Sequence, residues 1–172
     1  MLKRLLRRDP ETRALRALSR DLNKLPQRHR PEDSLQVVVD LAREVTNARY
    51  AALAITDEHD STQGFVTSGL SREELRGLKT PPLGHGPLSS LRADGRPVRF
   101  DNVQEAPRAF GFPPHHPEMR ALIGVPIWSQ GCVRGSLYVA ERDDGRPFDD
   151  NVERLLETLA IHASRVIENE WY

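Results

Sequence analysis

The 172 residues contain one cysteine, Cys132. A lone thiol excludes an internal disulfide and a Cys-x-x-Cys metal site, and it sets a reducing cytosol as the expected compartment. Cys132 itself is expected to be buried or half-buried. Net charge is also missing: 25 Lys and Arg balance 25 Asp and Glu, which argues against a globally basic nucleic-acid binder. No apolar run reaches the length of a membrane span, and Met1 to Arg8 lacks the apolar stretch of a signal peptide. There is no phosphate loop of the GxxxxGK[ST] type. No nucleophile–base–orienter set can be read, so the expectation is a binding protein with no catalytic residues. His85, His115 and His116 lack recognisable zinc-ligand spacing.

What is present fits one domain plus an appendage. Residues 1–30 form the appendage, where ten Lys and Arg face Asp9, Glu11 and Asp21. Leu15, Leu18, Leu22 and Leu25 repeat at alternating steps of three and four, the mark of a narrow helical seam. Pro26 ends that helix. The domain proper is read as residues 31–172. Pro31, Glu32 and Asp33 suit the first turn of a second helix, whose buried face is Leu35, Val38, Ala42 and Val45 and which ends near Asn47.

Strands follow. Tyr50 to Asp57 alternates Ala51, Leu53 and Ile55 with Ala52, Ala54 and Thr56, and the alanine face suggests close packing against a helix. Gly64 to Ser68 is a second strand. Ser71-Arg72-Glu73-Glu74 reads as a cap with an acidic first turn, and a short helix is expected over Leu88–Ala93. Arg96 to Phe100 is a brief strand with Val98 and Phe100 on one face. Arg120 to Trp128 and Cys132 to Glu141 form a hairpin about Gln130-Gly131, and Pro126 argues for an edge or a bulge. A last helix opens at Asp149 and Asp150 and buries Val152, Leu155, Leu156, Leu159, Ala163, Val166 and Ile167. This order predicts an α+β fold: an antiparallel sheet, helices on one side, the first and last helices near each other.

Between the brief strand and the hairpin runs Gly111-Phe112-Pro113-Pro114-His115-His116-Pro117-Glu118-Met119-Arg120. Prolines fix their own φ and push the preceding residue toward extended conformations, so His116 is held by Pro117. Neighbouring side chains then alternate, which turns His115 elsewhere. On the hairpin's return strand Tyr138 shares a face with Cys132, Arg134, Ser136 and Ala140. Its nearest face neighbours are small, which leaves room beside the phenol.

With Ala51-Ala52-Leu53-Ala54-Ile55, Leu122-Ile123-Gly124-Val125-Pro126-Ile127, Gly135-Ser136-Leu137-Tyr138-Val139 and the closing Ile167-Glu168-Asn169, residues 31–172 resemble a GAF domain. Gly86-Pro87-Leu88, Arg99-Phe100-Asp101-Asn102 and the Pro/His loop resemble the GAF domains of mycobacterial dormancy-survival sensor kinases and their actinobacterial relatives. The resemblance implies a ligand pocket on the sheet face opposite the helices. It implies b-type haem there, with His116 as the proximal iron ligand and Tyr138, 22 residues on, as the distal tyrosine. Phe112, Met119 and Ile123 complete the implied haem site, and without a Cys-x-x-Cys-His motif the haem is not covalently attached. Glu118 departs from the family pattern and adds a carboxylate near the site.

The residues also carry plainer readings: a loop histidine bonded to backbone for His116, and a core tyrosine for Tyr138. A haem-free alternative puts a small anion such as nitrate at the helix start after Gly84-His85-Gly86, with Gly86, Leu88 and Ser89 as its site. A third alternative is a dimerisation module without a ligand. The expected partners are a small-molecule or gas ligand, a second copy of the chain and a histidine kinase or other effector, in a two-component type of signalling. No nucleic acid and no membrane span are expected. The dimer is expected through the Leu15–Leu25 seam and the helix face that carries Val166.

Overall fold

The computed structural model describes residues 9–57, 59, 62–77, 95–101 and 120–170. The short helix expected over 88–93 and the Pro/His loop lie outside these residues.

Helix α1, Pro10–Asn23, starts where Asp9 accepts hydrogen bonds from the Thr12 backbone N–H at 3.0 Å and the Thr12 hydroxyl at 2.8 Å. That cap satisfies one donor the helix cannot bond internally, and Pro10 needs no such partner. Helix α2, Pro31–Thr46, likewise begins on a proline, with the Arg30 N–H donating to Asp33 at 3.0 Å. It stops at Asn47, which adopts a left-handed φ of 55°. Strands β1 (Ala48–Thr56) and β2 (Thr62–Ser68) pair antiparallel, with Leu53 opposite Val66. The short helix α3, Arg72–Gly77, has the expected cap: the Glu74 N–H donates to the Ser71 hydroxyl, and the Ser71 N–H to the Glu74 carboxylate.

Strands β3 (Val98–Phe100), β4 (Leu122–Ser129) and β5 (Cys132–Arg142) complete one antiparallel sheet in the order β2-β1-β5-β4-β3. Gln130 and Gly131, at φ 52° and 79°, make the tight β4–β5 turn with the twist that a hairpin favours. The three residues of β3 cover β4 only between Leu122 and Gly124. Pro126 lies two residues beyond, where a missing N–H costs the ladder nothing, and the β4–β5 register shifts just after it, between Ile127 and Trp128. Among the described residues both an unpaired edge and an irregularity are therefore present at the expected place. Helix α4, Asp150–Glu170, is capped by Asp149, which accepts from the Val152 N–H at 3.0 Å.

All three long helices gather on one face. Leu53, Ile55, Ile123, Val125, Ile127, Leu137 and Val139 from the sheet meet Leu35, Val38 and Val39 of α2 and Leu156, Leu159, Ala163 and Ile167 of α4 in one buried cluster. Helix α1 lies across α2 and α4 with Ala14 and Leu18 buried, and Leu22 packs on the same cluster. The first and last helices are thus neighbours. Much of the seam expected to join two chains is consumed within one: Leu18 is buried, and Val166 packs against the core. Cys132 corrects another expectation. It is exposed, because it follows Gly131 directly at the tip of the hairpin, beyond the reach of the helices.

Candidate functional site

The opposite face of the sheet carries a second, smaller cluster: Ala52, Leu122, Tyr138 and Ala140 buried, with Tyr50, Phe65, Val98 and Phe100 partly buried around them. Tyr138 stands on the central strand and is 7% exposed. Ala52 is its cross-strand partner on β1 and Gly124 its partner on β4. Along β5 its face neighbours are Ser136 and Ala140. A large ring is thereby ringed by four small residues, while the rim is aromatic or aliphatic. Burial pushes the Tyr138 hydroxyl well above the ordinary tyrosine range, so the phenol stays protonated and can donate a hydrogen bond at any physiological pH. Tyr50, at the rim, is also raised, by burial first and then by the charge of Glu74, with Arg49 acting the other way.

The alanine face of β1 is part of this site. It does not pack against a helix, as the alternation suggested; Leu53 and Ile55 do that, and Ala52 lies beside Tyr138. Ile123 is not part of the site. It is fully buried in the helix-side core opposite Val139, and alternation along β4 places its neighbour Leu122 on the Tyr138 face. Of the sequence-predicted site residues, His116, Phe112, Met119, Gly86, Leu88 and Ser89 lie outside the described residues.

Glu141 was not singled out by its sequence, yet it fixes the near end of the Pro/His loop. Its carboxylate accepts from the Arg120 backbone N–H at 3.0 Å, with the Arg120 guanidinium 3.6 Å away, and its own N–H donates to the Ala121 carbonyl at 2.9 Å. Glu141 holds a φ of 56°, unusual for a residue with a Cβ, and it is buried. Arg120 directly follows Met119, so this clamp sets where the loop rejoins the sheet. On the other flank Arg99 of β3 reaches to the start of α4, donating to Asp150 at 2.9 Å and Glu153 at 3.2 Å. These carboxylates, Asp150 before Glu153, hold the Arg99 charge firmly in place against partial burial.

This face offers, among the described residues, an apolar floor and the protonated hydroxyls of Tyr138 and, at the rim, Tyr50. Among the described residues no group of three or more His, Cys, Asp or Glu is placed to hold a metal ion, and no helix is long and apolar enough to cross a membrane.

Comparison with known proteins agrees with this architecture. A family model described as GAF domain matches residues 28–168. The GAF domain of a phosphoenolpyruvate-protein phosphotransferase from Coxiella burnetii superposes with a TM-score of 0.74 at 24% identity, covering 93% of this chain and 94% of that one. The GAF domain of a putative sensor histidine kinase from Pseudomonas syringae pv. tomato gives 0.58 at 19% identity, covering 92% and 86%. A dual 3',5'-cyclic-AMP and -GMP phosphodiesterase 11A from Takifugu rubripes is 34% identical over 84 residues, 46% of this chain but only 9% of that protein. The structural likenesses speak to fold alone; the family match spans most of the sequence, and on it the chain belongs to the GAF domain family.

Proposed function

We propose that this GAF domain senses a small ligand held against the Tyr138 face of its sheet, and that the ligand is b-type haem with His116 as the proximal iron ligand. The observation that carries the reading is the central phenol flanked by Ala52, Gly124, Ser136 and Ala140: a polar-tipped ring among small residues on the sheet face opposite the three long helices. The described wall fits haem, whose faces are apolar and whose distal side is governed by hydrogen-bond donors and by access. When bound, haem supplies an iron that takes up diatomic gases or changes oxidation state. The residues of the chain do the rest. Leu122, Phe65, Val98 and Phe100 exclude water. Tyr138, kept protonated, offers its O–H to whatever sits above it. Glu141 and Arg120 set the end of the segment that carries His116. Phe112 and Met119, from that segment, belong to the same proposed site. The output is to a histidine kinase or other effector.

The test is reconstitution of the purified chain with haem. A Soret band is expected, weakened in His116→Ala and kept in His115→Ala. An unchanged band in His116→Ala overturns the ligand assignment. No band in the wild type, together with a rise in melting temperature on adding nitrate, replaces haem with the anion reading at Gly86, Leu88 and Ser89.

A further inference from the structure

Beside the outer face of α4 stand two large apolar side chains that no described residue covers. Ile161 is 64% exposed and Trp128 49%, and among the described residues no other large hydrophobic is exposed. They flank a groove of about 440 Å³ between α4 and the end of β4, floored by Ala160 and Ser164 and closed by Pro97 and Pro126. Trp128 is not a loose side chain. Its ring lies so close over Gly95 that a Cβ there would clash with it, and its carbonyl accepts from the Ser164 hydroxyl. The groove is therefore preformed, with an apolar knob at its lip.

The charges along the same face of α4 are arranged symmetrically about Ile161. Four residues before it stands Glu157 and four after it Arg165; seven before stands Arg154 and seven after Glu168. Steps of four and seven return to one side of a helix, so all five share a stripe diametrically opposite the core residues Leu156, Leu159 and Ala163. Around a two-fold axis, residues equally distant from the axis face each other. Every charge on the stripe then meets its opposite, Glu157 against Arg165 and Arg154 against Glu168. In a parallel pairing each charge would meet its own copy.

We propose that two copies of this chain pair through this face, α4 against α4 and antiparallel, with the two-fold axis beside Ile161. The two Ile161 side chains meet on the axis. Trp128 sits beside Ser164, so it faces the partner copy one turn toward the start of its α4, near the position of Thr158. Exposed ion pairs add little affinity, and within one chain Arg165 already pairs with Glu168 at 3.3 Å while Glu168 also accepts from the Ser129 hydroxyl at 3.2 Å. Exchange of such contacts for intermolecular ones is close to neutral. The apolar pair supplies the affinity and the charges select the direction. This pairing is independent of the haem reading, since none of its residues belongs to the Tyr138 cluster.

The experiment is sedimentation equilibrium of the full chain. The wild type is expected to dimerise. Ile161→Glu should raise the dissociation constant about tenfold or more, as charging a central anchor does. Glu157→Arg alone should weaken the dimer, and Glu157→Arg combined with Arg165→Glu should restore it. All these positions are exposed, and circular dichroism confirms that the variants fold. A wild-type monomer at the highest soluble concentration, or a dimer indifferent to Ile161→Glu, overturns the interface. Weakening by Glu157→Arg that the second reversal does not repair overturns the antiparallel arrangement.

Discussion

The two faces of the sheet are built from the same strands and do opposite things. On the helix side Leu53, Ile123, Val125, Leu137 and Val139 are fully buried aliphatic side chains, packed against helices along their whole length. On the other side the same strands present Ala52, Gly124, Ser136 and Ala140 around one tyrosine. A close-packed aliphatic layer resists any change of volume. A floor of small residues around a polar-tipped ring buries less apolar surface and so contributes less to stability. The difference separates what holds the domain together from what it offers to a ligand, residue by residue along a single strand.

Leu137 and Tyr138 are adjacent in sequence and lie on opposite faces, which makes them the sharpest test. Leu137→Ala should cost about 2–5 kcal/mol by urea denaturation, the range for a buried leucine that leaves a cavity. Tyr138→Phe should cost about 1.5 kcal/mol or less and should instead weaken ligand binding. Equal losses in the two variants would erase the distinction between the faces. The tyrosine has a pH signature as well. Burial raises its folded pKa above the ordinary 10.0, so the stability it confers is full below that value and is lost as pH climbs through the alkaline range, where only the unfolded chain ionises. Tyr138→Phe should remove that alkaline decline.

Glu141 links the faces to the loop. Glu141→Ala leaves the Arg120 N–H without its carboxylate, and the cost is expected near 1–3 kcal/mol, with weaker ligand binding if the loop carries the ligand. A stability loss with unchanged binding would confine Glu141 to the scaffold. The smallest effect belongs to α1, farthest from the ligand face. Thr12, through its backbone N–H first and its hydroxyl second, holds the Asp9 carboxyl below its usual 3.8. The contribution of that cap is present above this value and lost as pH falls through the lower folded pKa. Asp9→Ala should slightly reduce helicity at neutral pH, by circular dichroism, and leave ligand binding alone.

Much of this was legible in the sequence. Caps at Ser71, Pro31 and Asp149, the Gln130-Gly131 turn and the apolar faces of α2 and α4 are local signals, and each appears where its chemistry put it. What failed was parity. The strand from Leu122 to Ile127 is apolar at almost every position, so alternation could not tell Ile123 from Leu122; only the pairing of Gly124 with Tyr138 does. The alanines of β1 misled for a related reason: small residues signal close approach or open space equally well. Glu141 gave no signal, because nothing in a glutamate announces a left-handed φ. The exposed thiol of Cys132 likewise follows from its place at a hairpin tip, which average burial of the residue type cannot supply.

Pro126 has a further consequence. Among the described residues no strand pairs with the edge of β4 beyond Gly124, and an unpaired edge invites another chain to add on. A proline offers no donor to such an invader, and the irregularity at Trp128 spoils the register that a flat addition requires. Uncontrolled sheet growth is thereby discouraged along this edge at a cost of one backbone N–H. Copies of the domain that meet here are steered from backbone to side chains, toward an association that closes on itself and does not extend into a fibre.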